Sequence, residues 1–94
     1  MIEIASGDYF LDWGGGLAWL ACDAGSDAGA AALRTAVAAA GGGHATLLRA
    51  PLPLRAAIPV FQPPDPATAA LTARIKDQFD PQRILNPGKM YAGL

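Results

Sequence analysis

Between Asp8 and Trp13 aromatic and aliphatic side chains alternate with acids in the order Asp-Tyr-Phe-Leu-Asp-Trp. Three glycines follow, Gly14 to Gly16, and then a second apolar run, Leu17-Ala18-Trp19-Leu20-Ala21-Cys22. Two such runs about a glycine cluster predict a β-hairpin, since glycine readily takes the positive φ of a tight reversal. Side chains alternate across a strand, so Tyr9, Leu11 and Trp13 share one face, with Phe10 and Asp12 on the other. Leu17, Trp19 and Ala21 likewise oppose Ala18, Leu20 and Cys22. Trp13 and Trp19 are expected to be the largest core side chains, and Ile2–Ile4 to extend the first strand.

The period then changes. Ser26 and Asp27 precede an alanine-rich run that stops at Gly41-Gly42-Gly43, which marks both ends of one helix. Its expected buried stripe is Ala30, Leu33, Val37 and Ala40. His44–Leu48 reads as a third strand ending near Arg49 and Ala50. Five prolines lie between Pro51 and Pro64, which suits a loop, with Ile58–Phe61 as a short edge strand. Asp65-Pro66 opens a second helix with an N-cap and a proline at its first position. Leu71, Ile75 and Phe79 form its stripe, and Asp80-Pro81 ends it, because a residue before proline is pushed out of the α region. A tail from Ile84 to Leu94 follows. The order β-β-α-β-(β)-α-tail predicts an α+β fold, a small ferredoxin-like sandwich with an antiparallel sheet and two helices on one face.

Composition bounds this picture. The chain has 94 residues, 52% apolar and 16% charged, which fits one domain over residues 1–94 and excludes a disordered charged tail. Alanine supplies 21 of the residues, so the expected core is thin. The net charge of −1 gives no electrostatic case for nucleic acid or an anionic membrane. Residues 1–33 hold five acids and no Lys or Arg; residues 34–94 hold all seven bases against three acids. The lone Cys22 forms no internal disulfide and suits a reducing compartment. Glu3 and Asp8 stand where a signal peptide needs basic residues, and no apolar stretch is long enough for a transmembrane helix. The chain reads as cytoplasmic.

Catalytic patterns are missing. One His, one Cys and one Glu provide neither a nucleophile–base pair nor a metal set, so no catalytic residue and no metal ligand is expected. The two glycine triplets read as a turn and a helix C-cap rather than phosphate loops, since neither joins a strand to a helix N-terminus. Cys22 reads as packing. His44 and Arg49 are the candidates for substrate contacts, Arg49 together with Arg55 flanking the proline-rich loop where a carboxylate could bind.

The stretch Phe79-Asp80-Pro81-Gln82-Arg83-Ile84-Leu85-Asn86-Pro87-Gly88-Lys89-Met90 differs from the rest. It stacks two proline-fixed turns around an apolar pair and then presents a glycine and a cation. The structural expectation is a rigid C-terminal clasp, with Ile84 and Leu85 against the second helix. The functional one adds Asn86 and Lys89 as groups held firmly enough to bond a ligand.

This stretch resembles the C-terminal signature of FAD-linked oxidases of the vanillyl-alcohol oxidase type. Leu11-Asp12-Trp13-Gly14-Gly15-Gly16-Leu17-Ala18-Trp19-Leu20 and Gly42-Gly43-His44-Ala45-Thr46-Leu47 look like the FAD-binding subunit of glycolate oxidases. The resemblance implies the last part of a longer flavoprotein subunit, a cap domain that covers FAD and shapes the substrate pocket. It implies Asn86 and Lys89 as cofactor contacts, with the cation stabilising negative charge on the reduced flavin. Implied partners are an N-terminal FAD-binding domain of the same subunit and other glycolate oxidase subunits, one of them iron–sulfur. Peripheral contact with the inner membrane would come through those partners. FAD belongs to the full-length subunit and is not expected on this chain alone, which should be inactive and could pair as a homodimer. The alternative from another class is a stand-alone ferredoxin-like module for dimerisation or small-ligand binding, without catalysis.

Overall fold

A computed structural model describes residues 7–94. Gly7–Asp12 (β1) and Leu17–Cys22 (β2) form the predicted antiparallel hairpin, in register from Gly7 opposite Cys22 to Asp12 opposite Leu17. That register puts Phe10 directly across from Trp19, and their rings stack with centroids 5.9 Å apart. The connection is a single tight turn over Trp13–Gly15. Gly14 and Gly15 take φ of +63° and +95° there, as a close reversal requires, and Trp13 itself adopts +51°. Asp12 Oδ1 accepts the Trp13 N–H at 2.8 Å and so holds that unusual tryptophan backbone. The expected extension at residues 2–4 lies outside the described residues.

Helix α1 covers Ala30–Ala39, three residues inside the predicted start. Asp27 still does the capping: its carboxylate accepts N–H groups from Gly29 at 2.9 Å and Ala31 at 3.1 Å. At the other end Gly42 N–H reaches Val37 O and Gly41 N–H reaches Ala38 O, the paired bonds of a Schellman ending. The helix stops at the glycines, as predicted.

Residues 44–64 depart from expectation. His44–Leu48 has no regular secondary structure and is not a strand, and Ile58–Phe61 does not form one either. The two stretches meet at one backbone hydrogen bond, Leu47 N–H to Val60 O at 2.9 Å. The sheet among the described residues therefore has two strands, not the three or four of a ferredoxin-like sandwich. Between them Leu52–Ala57 is a short helix, α2, in place of the predicted loop. Its prolines explain this. Pro51 is the N-cap and Pro53 lies in the first turn, where amide hydrogens have no helical partner and proline costs nothing. Two arginines tie this region together. Arg34 Nη2 donates to Pro59 O at 2.7 Å and, at 3.4 Å, to Ala45 O and Val60 O. Arg55 Nη1 donates to Leu48 O at 2.7 Å.

Helix α3, Pro66–Phe79, matches its predicted boundaries. Asp65 Oδ1 accepts the Thr68 N–H at 3.0 Å, and Oδ2 accepts the Thr68 hydroxyl at 2.6 Å. Residues 7–60 and 61–94 fall in separate compact units. In the second, the Phe61 and Tyr91 rings meet edge to face at 6.4 Å, and Tyr91 Oη donates to Gln62 O at 3.0 Å.

The fold is thus a small α+β arrangement of an antiparallel sheet and helices, but the expected core is not formed. Among the described residues no apolar side chain is buried. Trp13 is 79% exposed, Trp19 remains partly exposed beside Phe10, and Leu71, Ile75 and Phe79 lie open along α3. Ile84 and Leu85 are also exposed rather than packed on that helix. The reason is geometric: a two-stranded hairpin and short alanine-rich helices offer too few large side chains to close a layer. Order comes instead from caps, arginine-to-carbonyl bonds and turns.

Candidate functional site

The region that carries chemistry is the segment after α3. Asp80 is the one buried residue among those described, at 5% exposure. As the residue that ends α3 it donates its N–H to Lys76 O at 2.8 Å, while its side chain turns forward along the chain. Oδ1 accepts the Ile84 N–H and Oδ2 the Leu85 N–H, each at 3.0 Å. Lys76 Nζ lies 2.6 Å from Oδ2 and also donates to Leu85 O at 2.7 Å. The Ile84–Leu85 backbone is therefore gripped at both amide hydrogens and at the carbonyl that follows. Asp80 titrates well below an ordinary carboxylate, at about 2. The Lys76 hydrogen bond is the largest cause, followed by the Leu85 amide, with partial desolvation opposing them.

Turns flank this grip on either side. Arg83 N–H returns to Asp80 O at 3.0 Å across Pro81 and Gln82. Lys89 N–H returns to Asn86 O at 3.2 Å across Pro87 and Gly88. In the second turn Gly88 has φ of +69°, the value a type II turn needs after a proline. Gly88 N–H bonds Leu94 O at 2.6 Å, which fixes the turn to the end of the chain. Arg83 and Asn86 take φ of +53° and +43°. Asparagine tolerates this region, but arginine rarely adopts it. Arg83 is held there by its guanidinium, which pairs with Asp77 Oδ1 at 2.6 Å and donates to Gly93 O.

The two predicted cofactor contacts, Asn86 and Lys89, sit at the first and last positions of the second turn with their side chains exposed. The Lys89 ammonium makes no ion pair among the described residues. The arrangement is a cation and an amide on a braced turn, able to meet an anion or a polarised carbonyl edge. The two substrate candidates are elsewhere. His44 and Arg49 lie on the stretch after α1, both exposed, with neither side chain bonded to another described residue. Arg55 has its guanidinium committed to the Leu47 and Leu48 carbonyls. Sequence reasoning treated Asp80 only as a helix stop and did not single out Lys76. The readable signal was the Lys76–Asp80 spacing of four residues, which puts base and acid on one helical edge.

Residues 62–90 match the family of FAD linked oxidases, C-terminal domain. No curated protein and no solved structure gave a match. The matched stretch holds α3, the Asp80 grip and both turns. It supports the FAD-linked oxidase C-terminal superfamily for this part of the chain, a family whose full-length members use FAD. Among the described residues no helix is long and apolar enough to cross a membrane.

Proposed function

We propose that this chain is the C-terminal cap portion of a flavin-dependent 2-hydroxy-acid (glycolate) dehydrogenase or oxidase subunit, where it helps cover FAD and shape the substrate pocket. The observation that carries the reading is the family match over residues 62–90, the stretch braced around Asp80. The residues fit one edge of such a cofactor. Lys89 brings an uncommitted positive charge and Asn86 an amide, on a turn that need not reorganise to receive a ligand. They do not fit the pyrophosphate: Gly14–Gly15 lies in a hairpin turn and Gly41–Gly42 in a helix ending, neither at a helix N-terminus.

Bound FAD would supply the acceptor for a hydride from the α-carbon of the hydroxy acid. Lys89 would hold positive charge at the flavin edge, Asn86 would donate a hydrogen bond to it, and Arg49 with His44 would meet the substrate carboxylate. The pyrophosphate would be held by an N-terminal domain of the same subunit, and electrons would leave through an iron–sulfur partner subunit. The assembly would be cytoplasmic, touching the membrane only through its partners.

The test is flavin content and midpoint potential of the full-length subunit with Lys89→Ala and Lys89→Arg. Lower retention or an altered potential in Lys89→Ala, restored by Lys89→Arg, is expected. Unchanged content and potential in both would reject Lys89 as a flavin contact.

A further inference from the structure

We propose that Asp80 is a positioning residue for the Asn86–Lys89 turn, fixing where the Lys89 ammonium stands by gripping the two backbone amides immediately before that turn. This rests on the flavin-facing reading of Lys89 given above and names the device that makes it work.

The geometry runs in one direction along the chain. Helix α3 ends at Phe79, and the Asp80 carboxylate lies against its last turn through Lys76. The same carboxylate holds the Ile84 and Leu85 amides, and Lys76 holds the Leu85 carbonyl. The next residue, Asn86, opens the turn with a positive φ, and Pro87 then fixes its own φ. Gly88 and Lys89 are bonded back to Leu94 and Asn86. From α3 to Lys89 nearly every backbone step is therefore restrained by proline, by a turn bond or by Asp80. The Asp80 grip is the step that transmits the helix axis to the turn. Remove it, and the turn still closes locally, but its orientation to α3 is left to the Lys76–Leu85 and Arg83–Asp77 contacts and loosens.

A carboxylate suits this role better than an amide. Two oxygens accept two consecutive N–H groups and a cation at once, whereas asparagine has one accepting oxygen. The burial of Asp80 amid exposed neighbours is the mark of a group serving backbone partners.

One readout is taken without cofactor and one with it. In the chain as it stands, amide hydrogen exchange at Ile84 and Leu85 reports the grip, and exchange in the middle of α3 reports folding. Asp80→Asn is expected to speed exchange at those two amides about tenfold, as loss of charge-assisted bonds should, with the α3 amides unchanged. Lys76→Met, which opens the grip from the carbonyl side, should do the same at Leu85. In the flavin-loaded subunit, the FAD dissociation constant and midpoint potential are compared for Asp80→Asn, Lys89→Ala and the double variant. Both single variants should shift them in the same direction, and the double variant should be no worse than the more severe single one.

Slow exchange retained at Ile84 and Leu85 would overturn the role of Asp80, as would full additivity in the double variant. If Lys89→Ala alters the flavin and Asp80→Asn does not, the positioning role fails while the flavin-facing reading stands. If Lys89→Ala leaves the flavin unaltered, the flavin-facing reading fails, and the positioning proposal falls with it.

Discussion

Arg34 Nη2 donates to the carbonyl of Pro59 at 2.7 Å, joining α1 to a segment 25 residues further along the chain. The same guanidinium reaches Ala45 O and Val60 O. One side chain thus gathers the helix and both stretches that sequence patterning read as strands. A residue that appears in the sequence only as a break in an alanine run acts as the tie for its region.

Arg34→Met should accordingly loosen residues 44–60. Hydrogen bonds to a charged donor contribute about 1.5–3 kcal/mol, and partial exposure of this one places the expected loss at about 1–2 kcal/mol. Arg34→Lys should recover part of this, because a single nitrogen, Nη2, makes all three contacts and an ammonium also donates from one nitrogen. Chemical denaturation, with amide exchange at Leu47 as the local probe, checks both.

Acid should release the Asp80 grip. Its carboxyl is held at about 2 in the folded chain, below the ordinary value of 3.8. The stabilisation it gives is therefore full above the ordinary value, and it is lost as pH falls through that value towards about 2. Asp80→Asn should show no such loss from this site. Amide shifts of Ile84 and Leu85 followed through an acid titration measure the difference. Asp65, also lowered chiefly by its bond to the Thr68 hydroxyl, should add a separate loss at the α3 N-terminus in acid.

Gly88→Ala isolates backbone strain. No atom lies within 4 Å of where the new methyl would stand, yet φ is +69°. The cost should be about 1 kcal/mol from conformation alone, and Gly88→Asn should cost less. Stability curves of the two variants, with Lys89 N–H exchange as the local readout, test the ordering.

The stacked pair across the hairpin gives an optical prediction. Phe10 stacks on the Trp19 ring with centroids 5.9 Å apart, whereas Trp13 stands in solvent. In a Trp13→Phe background, Phe10→Ala should increase acrylamide quenching of Trp19. It should also cost the hairpin about 0.5–1 kcal/mol, the usual value of such a pair.

How far the sequence could be read depended on how local the cause was. Helix α3 was legible to its ends because Asp65-Pro66 and Asp80-Pro81 act within a few residues. The hairpin was legible for the same reason, though the pairing of Phe10 with Trp19 across it was not. Helix α2 was misread because Pro51 and Pro53 were taken as loop formers, when their position at a helix start is what decides. The third strand failed because a strand needs a partner, and His44–Leu48 meets Val60 at one bond only. Asn86 and Lys89 could be chosen from their turn, but the grip behind them could not. It depends on a side chain folding forward onto amides four and five residues ahead.

The exposure of many of the large apolar side chains described, Trp13, Phe79 and Ile84 among them, has a calorimetric consequence. Heat capacity rises on unfolding chiefly because apolar surface becomes hydrated. Here much of that surface is already wet, so melting should absorb little heat, spread over a wide temperature range, and show scarcely any cold-side curvature. The same chain with a partner surface over Phe79 and Ile84 should acquire a sharper transition than it has alone.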